Sequence, residues 1–182
     1  FVKIAQVLAG RADLLPEPYL SAVSTLTDRV PPVPVEQIEQ VILESYGRPA
    51  TDMFTDWHRV PLASASLGQV HRARYQDVDV VVKVLRPRIE RTVESDVVAS
   101  ELILRWAERF FPNPHVLGLR AILGEFARRI GDEMDFRKEG EYAERIRNNF
   151  AFNPKVAVPI VFAEMTRQRV LVLEYMAGTR ID

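Results

Sequence analysis

The residues best placed to do chemistry are those suited to hold a phosphate. Residues 61–71 read Pro61-Leu62-Ala63-Ser64-Ala65-Ser66-Leu67-Gly68-Gln69-Val70-His71, and Lys83 follows twelve positions after His71 inside the apolar run Asp79-Val80-Val81-Val82-Lys83-Val84-Leu85. Small side chains let a backbone loop lie close to polyphosphate, and a lysine on the adjoining strand can set its ammonium beside the same oxygens. Taken alone, the pattern also fits an ordinary small-residue turn and a lysine snorkelling from a strand end. A lysine working in a desolvated cleft needs an acidic partner. Glu139 is the preferred candidate, with Glu133 and Asp135 close by in sequence. The same acids also fit a solvated helix face with i,i+4 partners. Lys3 and Gln6 are three residues apart and share one side of a helix, as a surface edge would too.

Other chemistries find little support. The three histidines, His58, His71 and His115, have no zinc-like spacing and no serine–histidine–acid arrangement, so no metal site is assigned. His71 is expected to pack beside the strand, and Trp57 and Trp106 to be core or interface aromatics. Twenty-four basic against twenty-five acidic residues give a net charge of -1, which argues against a nucleic-acid binder. The absence of cysteine excludes disulfides and thiolate metal sites. No run of the sequence reaches the roughly 18 apolar residues expected of a transmembrane helix. At 182 residues, 47% hydrophobic and 27% charged, the chain can bury a core of its own. It opens on Phe1 and closes on Asp182 just past an apolar run, so both ends are expected to be cuts through a larger protein.

The elements that must position these residues are read from periodicity and breakers. Residues 1–29 carry helical spacing interrupted near Pro16 and Pro18, which predicts two short helices. Pro31-Pro32-Val33-Pro34 cannot be helical, and the spacing predicts a helix over Val35 to Tyr46 that Gly47 stops. Two strands joined by a short turn near Tyr75 to Val78 follow, the second being the β-branched run that carries Lys83. Long helices are predicted over residues 89–111 and 116–130, a third over 139–149, and a final strand pair over 156–161 and 169–175 around a polar turn at 164–168. This order of elements is α+β.

The motifs, taken together and in order, resemble the UbiB/AarF-type atypical kinase family across nearly the whole chain. The family's lysine, any residue, glycine, glutamine motif reads Lys3-Ile4-Ala5-Gln6 here, followed by Arg11-Ala12-Asp13-Leu14-Leu15-Pro16 and Asp28-Arg29-Val30-Pro31-Pro32. Its alanine-rich loop is matched by Ala63 to Ala73, its lysine strand by Val80 to Val84 with Arg86-Pro87 beyond, and its acidic motif by Glu133-Met134-Asp135. Glu139 matches the helix glutamate, and Val170 to Gly178 the strand and hinge joining two kinase lobes. Ala5 departs from the family's glycine; alanine is favoured in a helix by roughly 1 kcal/mol, so the fold need not suffer.

The resemblance implies an α+β, atypical kinase-like N-lobe with an antiparallel sheet and an added N-terminal helical subdomain, truncated before the C-lobe. Its division would be residues 1–52 as the helical extension and 53–182 as the N-lobe with inserted helices, ending at the hinge. It implies that Lys83 contacts the α/β-phosphates of ATP while Glu139 positions it. Ala63, Ser64, Ala65, Ser66, Leu67, Gly68 and Gln69 would form the phosphate loop, and Glu174, Tyr175 and Met176 would offer backbone groups to adenine. Lys3, Gln6, Glu133 and Asp135 would form an occluding polar network that favours ATPase or small-molecule kinase action over protein phosphorylation. ATP would bind with Mg²⁺ in the full-length protein, whose metal ligands and catalytic loop are expected outside these residues, so the fragment itself would be inactive. The family also implies a role in isoprenoid quinone biosynthesis or membrane lipid homeostasis, with lipid or quinone-biosynthesis partners, at the cytoplasmic side of a membrane or an organellar matrix face. A nucleotide-gated pseudokinase scaffold or an interaction protein is the alternative.

Overall fold

The computed structural model describes residues 30–110 and 114–178. In chain order the elements are α1 (Val35–Tyr46), α2 (Ala50–Met53), β1 (Ala63–Ser64), β2 (Gly68–Tyr75), β3 (Val78–Leu85), α3 (Ile89–Phe110), α4 (Pro114–Glu133), α5 (Phe136–Asn149), a 3₁₀ turn (Ala163–Met165) and β4 (Val170–Glu174). Pro31–Pro87 and the described residues from Glu133 onward form one compact unit, and Arg88–Asp132 belong to a second. Among the described residues no helix is long and apolar enough to cross a membrane. The two expected helices of residues 1–29 lie outside the described residues.

The first unit is built on a four-stranded antiparallel sheet in the order β1-β2-β3-β4. β2 and β3 pair over their whole length through the two-residue turn Gln76-Asp77, whose φ angles of 48° and 64° are both left-handed. Such a turn matches the right-handed twist of the flanking strands. Pairing Gln69 with Val84, His71 with Val82, and Val82 with Val172 puts alternate residues of all three strands on one face. That face is dry: Ala73, Val80, Val82, Val84, Val170 and Val172 join Ile38, Val41 and Ile42 of α1 in one buried cluster with Ala50 and Phe54. Complete burial of a valine or isoleucine stabilises by about 1.5–3 kcal/mol, so this layer dominates the unit's stability. α1 ends as the sequence requires, with Gly47 at φ 70° and its N–H donating to Leu43 O at 2.7 Å.

Two polar residues lie fully buried in the same layer, and they satisfy each other. The Gln69 side chain accepts from Val33 N–H at 2.9 Å and donates to His71 Nε2 at 3.1 Å. His71 Nδ1–H donates to His58 O at 2.8 Å, which fixes the tautomer, and burial holds the ring's pKa below the usual 6.5. Trp57 stacks on His71 at 4.9 Å and donates from Nε1 to Glu39 of α1 at 3.0 Å. The network therefore ties the segment entering α1 to the middle of β2.

On the opposite face, α5 covers one end of the sheet. Asp135 caps the helix by accepting from Arg137 N–H at 3.1 Å, so α5 starts at Phe136, three residues before the expected start at Glu139. Gly140 lets α5 approach closely: a Cβ there would lie 3.3 Å from Val161 and 3.5 Å from Leu171. The expected strand over residues 156–161 does not form. Only Val161 bridges to Leu173, and the Ile160 N–H goes instead to the Glu174 carboxylate at 3.1 Å. Pro159, just upstream, lacks the N–H that a continuous ladder would need.

In the second unit, α3 has no buried residue and exposes Val98, Leu102, Ile103, Trp106 and Phe110. Trp106 packs on Phe110 at 4.4 Å. In α4, Leu123 and Ile130 are buried, and Arg120 pairs with Glu108 of α3 at 3.1 Å.

Candidate functional site

Lys83 sits on β3 opposite Val70 and Leu171, on the face of the sheet away from α1. Its Nζ donates to both carboxylate oxygens of Glu139, each at 2.7 Å. The two residues come from a strand and a helix 56 positions apart in sequence, and the cap at Asp135 orients the helix turn that carries Glu139. The side chains are 30% and 45% exposed, so solvent screens the pair and its contribution to stability is about 1 kcal/mol or less. Its significance is geometric: it holds an ammonium at one defined point on a half-open surface. Phe136, at the first turn of α5, places its ring centroid 4.6 Å from the same ammonium, within cation–π range.

The small-residue segment forms a tight hairpin beside this pair. Ala63 and Ser64 pair with Val70 and Gln69, and Ala65 N–H donates to Gly68 O at 2.8 Å, leaving Ser66 and Leu67 as the turn. None of its residues has positive φ. Gly68 is required by crowding instead: a Cβ would fall 2.9 Å from Val84 O and 3.4 Å from the Phe136 ring. Leu67 is turned inward and buried. The Gln69 side chain is committed to Val33 and His71, and its backbone lies between Ser64 of β1 and Val84 of β3 in the sheet.

The hinge-like run sits at the far end of β4. Glu174 N–H donates to Ile160 O at 2.9 Å, and Tyr175 N–H to Asp79 O at 2.8 Å. The Arg72 guanidinium lies 4.4 Å from the Tyr175 ring centroid and pairs with Asp79 at 2.9 Å. Met176 is exposed and lies past the last strand pairing. Between this run and Lys83 the same face presents Val81 and Leu173, with Val70 level with Lys83, all half-buried.

Asp135 does more than cap α5. Its carboxylate receives Arg137 Nε at 2.8 Å and a terminal guanidinium nitrogen at 2.6 Å, and this hydrogen bonding holds its pKa below the usual carboxylate value. Glu133 is exposed at the end of α4. Lys3 and Gln6 lie outside the described residues. The structure thus brings together Lys83, Glu139 and the hairpin of residues 63–68. It also adds Phe136 and Arg86, to which the sequence assigned no role. The available signals were an aromatic residue directly after the acidic motif and an arginine directly after the lysine strand.

A family model described as the ABC1 atypical kinase-like domain matches residues 25–182. An uncharacterised protein of Synechocystis is 40% identical over the whole chain, which covers 33% of that relative. A probable protein kinase UbiB of Marinobacter nauticus is 36% identical, again over the whole chain and 33% of its own length. Among solved structures, the complex of Rv3197 with erythromycin from Mycobacterium tuberculosis matches with a TM-score of 0.67 and 26% identity, covering 96% of this chain and 44% of that one. The chain spans about a third of the length of these curated relatives. With a family model matching most of its length and a kinase-like N-lobe fold beneath the match, the chain belongs to the ABC1 atypical kinase-like family, as its UbiB/AarF-type motifs imply.

Proposed function

We propose that this chain is the adenine-nucleotide-binding part of a UbiB-like ATP-dependent kinase or ATPase. The observation that carries the reading is the Lys83–Glu139 pair, with both N–O distances at 2.7 Å, beside a hairpin of small residues. Lys83 would meet the α/β-phosphates, Glu139 would keep the ammonium in place, and those backbone amides of residues 63–69 that the hairpin's own pairing does not use would donate to phosphate oxygens. Val70, Val81 and Leu173 would give adenine a half-buried apolar floor, with Glu174 to Met176 offering backbone groups at its edge. The donor set suits a polyphosphate: one fixed ammonium and a loop without bulky side chains except the inward Leu67. Bound Mg²⁺ would neutralise charge developing on the transferred phosphoryl group.

Phosphoryl transfer also needs a magnesium-holding carboxylate and a loop that orients the acceptor. This reading assigns both to other parts of the full-length protein, so these 182 residues alone would bind nucleotide without turnover. A role in isoprenoid quinone biosynthesis or lipid homeostasis at a membrane face belongs to the same reading and rests on family likeness. So does the occluding network of Lys3, Gln6, Glu133 and Asp135. Calorimetric titration of the full-length protein with Mg-ATP tests the proposal: binding is expected, and Lys83→Ala is expected to abolish it. Full affinity in the Lys83→Ala protein would refute the site. Binding without turnover would turn the reading toward a nucleotide-gated scaffold.

A further inference from the structure

The small-residue hairpin has little with which to hold its own shape. β1 is two residues long, and Ala63, Ser64, Ala65 and Ser66 bring no large side chain to pack. A loop that presents amides to phosphate gains affinity only if its backbone is ordered before the ligand arrives. The ordering contacts converge on Arg86, three positions after Lys83 and directly after β3. Its main-chain N–H donates to Leu67 O at 2.9 Å. Its guanidinium donates from Nε to Ala65 O at 2.9 Å, and from one terminal nitrogen to Ser64 Oγ at 2.8 Å and Pro31 O at 2.7 Å. One residue thereby grips the hairpin just before its turn and within it, and fastens it to the segment that enters α1.

We infer that Arg86 is a positioning residue for nucleotide phosphate, acting through the backbone of residues 64–67, which it locks in register with Lys83. This rests on the nucleotide reading above. The arrangement uses what is particular to arginine: a planar fork whose separated donors reach acceptors on different chain segments at once. Lysine keeps the charge but carries its three donors on one nitrogen, so it lacks the second, separated nitrogen with which Arg86 reaches Ala65 O while its terminal nitrogen holds Ser64 Oγ and Pro31 O. The acceptors are backbone carbonyls and one hydroxyl, so the bonds fix loop shape without neutralising the guanidinium. Its positive charge stays beside the loop, where it adds to a potential that favours an anion.

The test compares wild-type, Arg86→Lys and Arg86→Gln full-length proteins, each shown by circular dichroism to be folded at the working temperature. Mg-ATP and adenosine affinities are measured by calorimetry, and amide exchange of residues 64–68 is followed by mass spectrometry without ligand. Both variants should lose about tenfold in Mg-ATP affinity, equivalent to about 1.4 kcal/mol, while adenosine affinity stays within about twofold. Exchange at residues 64–68 should quicken in both, with β3 unchanged. Equal losses for ATP and adenosine would show a merely structural role and overturn the inference. Full Mg-ATP affinity in Arg86→Lys would also overturn it, because charge alone would then suffice. If wild type binds no nucleotide yet exchange still quickens in the variants, the phosphate role falls with the nucleotide reading, and only the clamp on the hairpin survives. Unchanged exchange would remove the clamp itself.

Discussion

The two faces of the sheet are made from the same three strands and do different work. On the α1 face, Val80, Val82, Val84, Val170 and Val172 are fully buried, and even Gln69 and His71 find partners without water. On the other face, Val70, Val81, Lys83 and Leu173 stay half-buried, and α5 covers only the end near Gly68 and Leu171. The period-two alternation of a strand makes this possible: neighbouring residues such as Val82 and Lys83 serve opposite sides. Stability is concentrated on one face, which leaves the other able to keep a charged side chain exposed where a ligand can reach it.

Substitutions can break this division at either face. The largest effect should come from Ile42→Ala, which opens a cavity in the dry layer and is expected to cost about 2–5 kcal/mol of unfolding free energy. Chemical denaturation measures it, and a loss under about 1 kcal/mol would mean the layer is not the main source of stability. Gly68→Ala should cost about 1–3 kcal/mol by overpacking, since its new methyl would sit 2.9 Å from a backbone oxygen that cannot swing away. A neutral result would show that β2 can shift freely.

A pH series sharpens the comparison next. His71 has its pKa depressed by burial, so the unfolded chain takes up a proton more readily than the folded one. Its contribution is full above pH 6.5 and is lost as the pH falls from there toward the lower folded-state value. Melting temperature should decline over that acid window in wild type and decline less in His71→Gln. Parallel profiles would remove His71 as the cause. Asp135 acts at lower pH in the same direction: its lowered pKa makes its cap on α5 dependable above pH 3.8 and lost as the carboxylate protonates below it. The smallest stability effect should be Lys83→Met, within about 1 kcal/mol because the pair is screened, although it removes the charge proposed to bind phosphate. A larger thermal shift would mean the ion pair is a structural element after all.

Much of the dry face was legible in the sequence. The spacing of Ile38, Val41 and Ile42 before Gly47, and the β-branched run around Lys83, specify α1 and β3 locally. A short turn between Tyr75 and Val78 is legible too, but its two turn residues are not, because neither Gln76 nor Asp77 is the glycine or asparagine that usually marks two successive left-handed positions. Apolar content over residues 156–161 suggested a strand, whereas the segment pairs only near Val161 because its backbone bonds run partly to the Glu174 side chain. Asp135 was available as a cap signal, but it stood in an acidic run whose members also suit a solvated face. The roles of Phe136, Arg86 and the Gln69–Val33 link depend on contacts across long sequence separations, which no local pattern encodes.

Gly140 has a consequence for which side chains can face each other across the cleft. By letting α5 settle against Leu171 and Val161, it sets a gap that one glutamate and one lysine bridge at full hydrogen-bond contact. Aspartate at position 139 would be shorter by one carbon–carbon bond, about 1.5 Å, and would fall out of reach, while a methyl group at position 140 would ease the helix outward and stretch the same span. The glycine thus acts as a spacer that dictates the chain length of its charged neighbour, and a substitution at either position asks for an adjustment at the other.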